Sequence, residues 1–147
     1  FKKSELRFIS KSAEVIPILY APNTSPGIAI VKRIIESLEN SLDLFKEITI
    51  SEKHHQNKKD SPSGTAKDLA QLLMERIERK EKISIESQRK GELVGEHNIT
   101  FSMEEEIIEI NHKALNRSVF ALGSLVGAEW LISKPKGLYK MSDIYLS

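Results

Sequence analysis

The spacing of hydrophobic positions changes period several times along the chain, and each change predicts an element. Residues 2–14 are polar, with Leu6, Phe8 and Ile9 scattered among lysines, which predicts a short surface helix. Val15–Tyr20 (VIPILY) is a short, mostly apolar run broken by Pro17, the pattern of a buried strand near a sheet edge. The prolines, Asn23 and Gly27 of Ala21–Gly27 (APNTSPG) predict a loop. Beyond it Ile28, Val31, Ile34, Ile35 and Leu38 recur at helical spacing and predict a helix from about 27 to 39. Glu47–Glu52 alternates Ile48 and Ile50 with polar neighbours, as a half-buried strand does. Ala66, Leu69, Ala70, Leu73 and Ile77 lie on one face of a helix opened by Ser63 and Gly64 and running to about residue 79. Ile83–Ser87, Asn98–Met103 and Ile107–His112 are three more predicted strands, the last two a hairpin across Glu104–Glu106. A final helix, capped by Asn116 and stopped by Pro135, carries Val119, Phe120, Gly123, Val126, Gly127, Trp130 and Leu131.

The order is strand, helix, strand, helix, three strands, helix. It predicts an α+β fold: a mixed, mostly antiparallel sheet of about four strands with helices packed on one face. The other face is left open for a partner.

Composition narrows the function. At 147 residues the chain is one domain, or one domain plus part of a second. Lysine and arginine number 22 against 21 acidic residues, a formal net charge of +1, so no broad field draws in nucleic acid or an acidic membrane. The absence of cysteine removes disulfides, thiol nucleophiles and cysteine-ligated metals, and fits a reducing compartment. No apolar run reaches the ~18 residues of a membrane span, and the Phe1 start lacks the order of a signal peptide; the expected location is the cytoplasm. The seven glycines never fall into GxGxxG or GxxxxGK[ST] spacing.

Chemistry concentrates in His54–Ala66 (HHQNKKDSPSGTA), between a strand and a helix start. Ser63, Gly64 and Thr65 offer backbone N–H groups that the first helical turn leaves unsatisfied, and the hydroxyls of Ser63 and Thr65 stand beside them. A carboxylate or phosphate suits that end of the helix dipole. Ser63 acting as a plain helix cap explains the pattern taken alone; it does not explain Lys58 and the paired His54 and His55 just upstream. Lys58 can neutralise an anion or deliver a proton, and a histidine exchanges protons near neutrality. The four histidines, 54, 55, 97 and 112, show no HExxH spacing, so no metal is expected. His97 and His112 read individually as structural histidines at strand ends, Arg89–His97 (RKGELVGEH) as a loop entering a strand, and Gly123 and Gly127 as small residues that permit close helix packing.

The run Glu52, His54, His55, Lys58, Asp60, Pro62, Ser63, Gly64, Thr65, Ala66 closely resembles the signature of dihydrodipicolinate reductases. APNTSPG at 21–27, RKGELVGEH at 89–97, INHKALNRSVFALG at 110–123, Trp130 and GLYKMSDI at 137–144 agree in order, so the resemblance covers about residues 15–145. It implies the C-terminal, substrate-binding and tetramerisation domain of an enzyme whose N-terminal domain is a Rossmann-like binder of NADH or NADPH. On that reading 1–24 is the tail of the nucleotide-binding domain and hinge, 25–135 the substrate-binding and oligomerisation domain, and 136–147 a return segment; most of the Rossmann domain lies outside the chain.

The resemblance further implies residue roles. His54 and Lys58 match the catalytic acid/base and proton-donating positions. His55, Ser63, Gly64 and Thr65 match substrate contacts. Ala21, Pro22, Asn23 and Thr24 match a hinge that touches the nicotinamide, although Thr24 stands where members often carry an aromatic residue and Thr49 where an acidic one is common. The implied reaction is NAD(P)H-dependent reduction of a small cyclic dicarboxylate in lysine and diaminopimelate synthesis, by a homotetramer, with Arg117 an additional carboxylate partner and 21–27 and 133–137 hinge segments. Two other readings of the same helix start are a non-catalytic, oligomerising anion-binding module and a phosphate-binding module.

Overall fold

The computed structural model describes residues 2–78 and 82–145. Its contacts divide the chain into two compact units, one made of residues 1–29 and 118–147, the other of 30–117.

The 30–117 unit is built on a four-stranded sheet. Its strands are β2 (Glu47–His54), β3 (Ile83–Arg89), β4 (Gly95–Ser102) and β5 (Ile107–Ala114), in the order β3-β2-β4-β5. β2 runs parallel to β3 and antiparallel to β4, and β4 antiparallel to β5, so the sheet is mixed and mostly antiparallel as predicted. Strand alternation sends Ile48 and Ile50 of β2 and Ile99 and Phe101 of β4 to one face, where all four are buried. That face is covered by α3 (Gly64–Met74) through Ala66, Leu69, Ala70 and Leu73, by Val31 and Ile35, and by Leu42 and Phe45 at a 3₁₀ turn over Glu39–Leu44. Each large aliphatic side chain removed from water this completely contributes roughly 1.5–3 kcal/mol. The opposite face is polar, carrying Thr49, Ser51, Asn98, Thr100 and Asn111, with Lys113 paired to Glu96 at 2.5 Å.

In the unit of residues 1–29 and 118–147, α1 (Lys3–Ser12) is a surface helix with no buried residue. β1 (Pro17–Leu19) pairs in parallel with β6 (Gly137–Tyr139), and α4 (Ser118–Ile132) packs on β1. Trp130 meets Tyr139 edge to face at 5.3 Å, with the Lys134 ammonium 4.3 Å from the indole centre. A 3₁₀ turn over Met141–Tyr145 buries Met141 and Ser142. The helix α2 (Pro26–Ser37) gives its first residues to this unit and the rest to the other.

Several boundaries differ from the sequence prediction. β2 continues past Glu52 to His54, β3 past Ser87 to Arg89, and β4 starts at Gly95 rather than Asn98. The inward positions there are Glu52, His54, Arg89 and His97, so the hydrophobic alternation is invisible where the pleat continues. Arg89 is therefore a strand residue, not part of the loop. α3 ends at Met74, although Ile77 is still buried; Arg79, its predicted last residue, lies outside the described residues. Beyond α3, the Lys82 ammonium donates to the carbonyls of Phe45 (2.6 Å) and Asp43 (3.3 Å). α4 opens at Ser118, two residues past the predicted cap at Asn116. It groups with the chain ends, whereas the sequence placed it in the 25–135 segment. β6 and both 3₁₀ turns went unpredicted, because segments of three to six residues are too short to show a hydrophobic period.

Candidate functional site

Two residues apart on a strand, Glu52 and His54 necessarily share the inward face of β2. The register puts Ser87 and His97 beside Glu52, His112 beside His97, and Arg89 beside His54. A charged and imidazole-rich patch thus replaces the aliphatic core at this end of the sheet. Glu52 is 1% exposed, and an isolated carboxylate so buried would lose its charge. Four donors prevent that. Arg89 Nη2 reaches Oε1 at 2.7 Å and Nη1 reaches Oε2 at 2.9 Å, the Ser63 N–H reaches Oε1 at 3.1 Å, and His54 Nδ1 bonds Oε2. Burial pushes the Glu52 pKa up, but hydrogen bonds, led by those from Arg89 and His54, outweigh it and hold the value at about 2. The carboxylate is ionised and can only accept.

It follows that His54 carries a proton on Nδ1. Burial pulls the His54 pKa below its usual value; the bond to Glu52 opposes this, while Lys58 and Arg89 reinforce it. Near neutrality the ring is therefore neutral, with a bare Nε2. His97 lies edge-on to it at 5.1 Å between ring centres, and His112 lies 6.1 Å beyond His97. Burial first, then the neighbouring imidazoles, lower the His97 pKa to about 4.

The loop leaving β2 is fastened by backbone bonds: the His55 N–H to Leu93 O (2.9 Å), Gln56 N–H to Gly91 O (3.1 Å) and Lys58 N–H to His55 O (3.1 Å). Gly91 sits at φ 59°, a left-handed conformation that glycine adopts without strain. His54 is buried and His55 half-buried, as expected of neighbours on a strand end. Lys58 Nζ contacts Asp60 Oδ1 at 2.7 Å, and the other oxygen of Asp60 accepts the Gly64 N–H at 3.2 Å. One exposed carboxylate thus bridges the ammonium and the opening amide of α3. The bond from Lys58 is the main reason the Asp60 pKa lies below its usual value. Thr65 follows on the same turn, half-buried.

Ser63 departs from its predicted place. Its hydroxyl accepts the Ala66 N–H at 3.1 Å as the helix cap and lies 3.4 Å from His97 Nε2, its amide is engaged by Glu52, and it is 1% exposed. Its donors serve the chain's own structure, leaving Gly64 and Thr65 as the outward part of the helix start. Ala21–Thr24 belong to the other unit. There the Thr24 hydroxyl donates to Phe120 O at 2.7 Å and Asn23 Oδ1 accepts the Ser25 N–H at 2.8 Å, while Ala21 and Pro22 line the loop's start. Among the described residues no cluster of three histidine, cysteine or carboxylate side chains has the spacing of a metal site.

Glu52, Arg89 and His97 were missed as members of the site. The first was legible: i and i+2 on a strand share a face, so a glutamate two before a histidine is its neighbour. Arg89 and His97 come from other strands, and only the register brings them in.

A family profile described as "Dihydrodipicolinate reductase, C-terminus" matches residues 27–145. Proteins named 4-hydroxy-tetrahydrodipicolinate reductase are similar to the chain: one from Buchnera aphidicola subsp. Cinara cedri is 37% identical, covering 98% of this chain and 59% of that protein. Those from Pelagibacter ubique (38% identical, 98% and 63%) and Campylobacter lari (39% identical, 97% and 65%) are comparable. Among solved structures, a dipicolinate-bound dihydrodipicolinate reductase from Paenisporosarcina sp. TG-14 superposes with a TM-score of 0.78 at 25% identity, covering 95% of this chain and 59% of that one. The chain thus spans about three-fifths of the length of the relatives it matches. With a family profile over most of its length and a fold that superposes on a solved member, the chain belongs to the dihydrodipicolinate reductase family and corresponds to its C-terminal part.

Proposed function

We propose that this chain is the substrate-binding and proton-donating part of a reductase that converts 4-hydroxy-tetrahydrodipicolinate to tetrahydrodipicolinate in lysine and diaminopimelate synthesis. The observation that carries this is the carboxylate of Asp60, seated between the Lys58 ammonium and the Gly64 amide. A substrate carboxylate fits the same pair of donors. The dipicolinate named with the solved relative is a planar dicarboxylate of the class proposed here.

In this reading Lys58, Gly64 and Thr65 take one carboxylate of the ring acid in place of Asp60. His55 and Arg117 serve the other. His54, whose Nδ1–H is committed to Glu52, exchanges a proton through Nε2, and Lys58 is the alternative donor. NADH or NADPH supplies the hydride when bound, and the ring 4-hydroxyl leaves as water. Ala21–Thr24, with neither a cation nor a glycine-rich loop, suits only the nicotinamide end; the pyrophosphate and adenosine need residues outside this chain. The 147 residues by themselves are accordingly expected not to oxidise NAD(P)H. The polar open face of the sheet is assigned to a homotetramer, and the cytoplasm is the proposed location; no helix among the described residues is long and apolar enough to cross a membrane.

Calorimetric titration of the chain with pyridine-2,6-dicarboxylate tests the site. Saturable binding, lost in a Lys58→Ala, His55→Ala double variant, is expected. No binding, or binding indifferent to the two substitutions, overturns the site; inorganic phosphate competing as well as the dicarboxylate overturns the substrate class.

A further inference from the structure

The Glu52 cluster does more than a core position needs. Replacing a buried ion pair by apolar residues of similar size is often neutral or stabilising, so four donors converging on one buried carboxylate are weakly explained by stability. Their combined geometry fixes a single orientation of one ring. Arg89 engages both oxygens of Glu52 and also donates to Asp60 O at 2.5 Å, so the carboxylate cannot rotate away from His54 Nδ1. On the far edge of the same ring stands Gly95, in a strand where glycine is disfavoured and where its backbone has no left-handed conformation to excuse it. A Cβ at Gly95 would lie 2.9 Å from His54 Nε2 and 3.2 Å from Cδ2, too close for a ring already tied at Nδ1.

We propose that Glu52, clamped by Arg89, is a positioning residue that holds His54 with its proton on Nδ1 and Nε2 as the exchanging nitrogen, and that Gly95 is the gap that admits the Nε2 edge. This rests on the reading of His54 as the acid/base group. The charged and titratable groups around the ring are Glu52 on its own strand, Arg89 on β3, His97 on β4 with His112 behind it on β5, and Lys58 in the loop. Of these, only Glu52 accepts from Nδ1.

Glu52→Gln gives a sharp expectation. The unpaired guanidinium of Arg89 claims the new amide oxygen, which turns the amide NH₂ toward Nδ1 and forces the His54 proton onto Nε2. Two-bond proton–nitrogen NMR of the imidazoles in the chain reads this directly. The wild-type His54 signal carries the Nδ1–H pattern, and Glu52→Gln converts it to Nε2–H while the His55 signal keeps its pattern. Gly95→Ala keeps every polar group and is expected to push the ring off Glu52, with loss of the hydrogen-bonded Nδ1–H resonance. It serves equally if Glu52→Gln does not fold. An Nε2–H tautomer in the wild type, an unchanged tautomer in folded Glu52→Gln, or an undisturbed His54 in Gly95→Ala overturns the proposal. Titration of the wild type with pyridine-2,6-dicarboxylate separates the two readings: a tautomer switch without ligand binding leaves this inference standing and removes the proposed function, and binding without a switch does the reverse.

Discussion

Where Gly123 of α4 would carry a Cβ, the carbonyl oxygen of Thr24 lies 1.8 Å away, with Pro26 Cδ at 3.1 Å. The loop after β1 is therefore laid directly on the helix backbone and tied there by the Thr24 hydroxyl bond to Phe120 O. Because the obstacle is backbone, no side-chain rotation relieves it. Gly123→Ala is expected to destabilise the unit of residues 1–29 and 118–147 by about 3 kcal/mol or more, measured by denaturant unfolding. Gly127→Ala meets the tip of the Leu19 side chain at 2.6 Å, with Met141 and Ile144 at ordinary contact distance, and should cost less. Equal, small effects would contradict the packing described.

Asp60 holds the two donors that the proposed substrate needs. Removing its charge while keeping its shape should help an incoming dicarboxylate. The Lys58–Asp60 pair is exposed enough to be worth only ~0.2–1 kcal/mol, so Asp60→Asn should tighten pyridine-2,6-dicarboxylate binding by about 1.4- to five-fold in calorimetry. Weaker binding would mean that Asp60 assists the ligand instead of yielding to it.

The buried histidines and Glu52 make folding sensitive to acid. His97 titrates at about 4 when folded and near 6.5 when unfolded. Above pH 6.5 both states are neutral. Below it the unfolded chain binds the proton first, so stability falls until about pH 4, by about 3 kcal/mol. His54 and His112, also lowered, act in the same direction. Glu52 adds a second loss as pH falls from about 4.5 to about 2, where its carboxylate gives up the charge that Arg89 holds. Denaturant unfolding across pH 7 to 4 checks this. His97→Phe should flatten that slope, and a stability independent of pH would contradict the burial.

Tetramer formation is expected to use the polar sheet face. Sedimentation at micromolar concentration should give a tetramer. Asn98→Arg, in the middle of that face and away from the core, should dissociate it without lowering the helix and strand content seen by circular dichroism. A monomeric wild type would count against this use of the face.

Elements whose inward side is aliphatic were readable from the chain because their periods are intact: α2, α3, the Ile48–Ile50 end of β2 and the Ile99–Phe101 part of β4. The loop 54–66 was readable for a different reason, since its histidines, lysine and helix-start residues are contiguous and need no fold to be neighbours. What the amino-acid order alone determined is therefore local: the α+β pattern, and the grouping of His54, His55, Lys58, Gly64 and Thr65. Tertiary structure alone decided that Arg89 and His97 stand against Glu52 and His54, that Ser63 turns its donors inward, and that Gly95 leaves room for a ring. Those relationships depend on which strands pair and in what register, a choice set by burial of the whole sheet face that no short window of sequence contains.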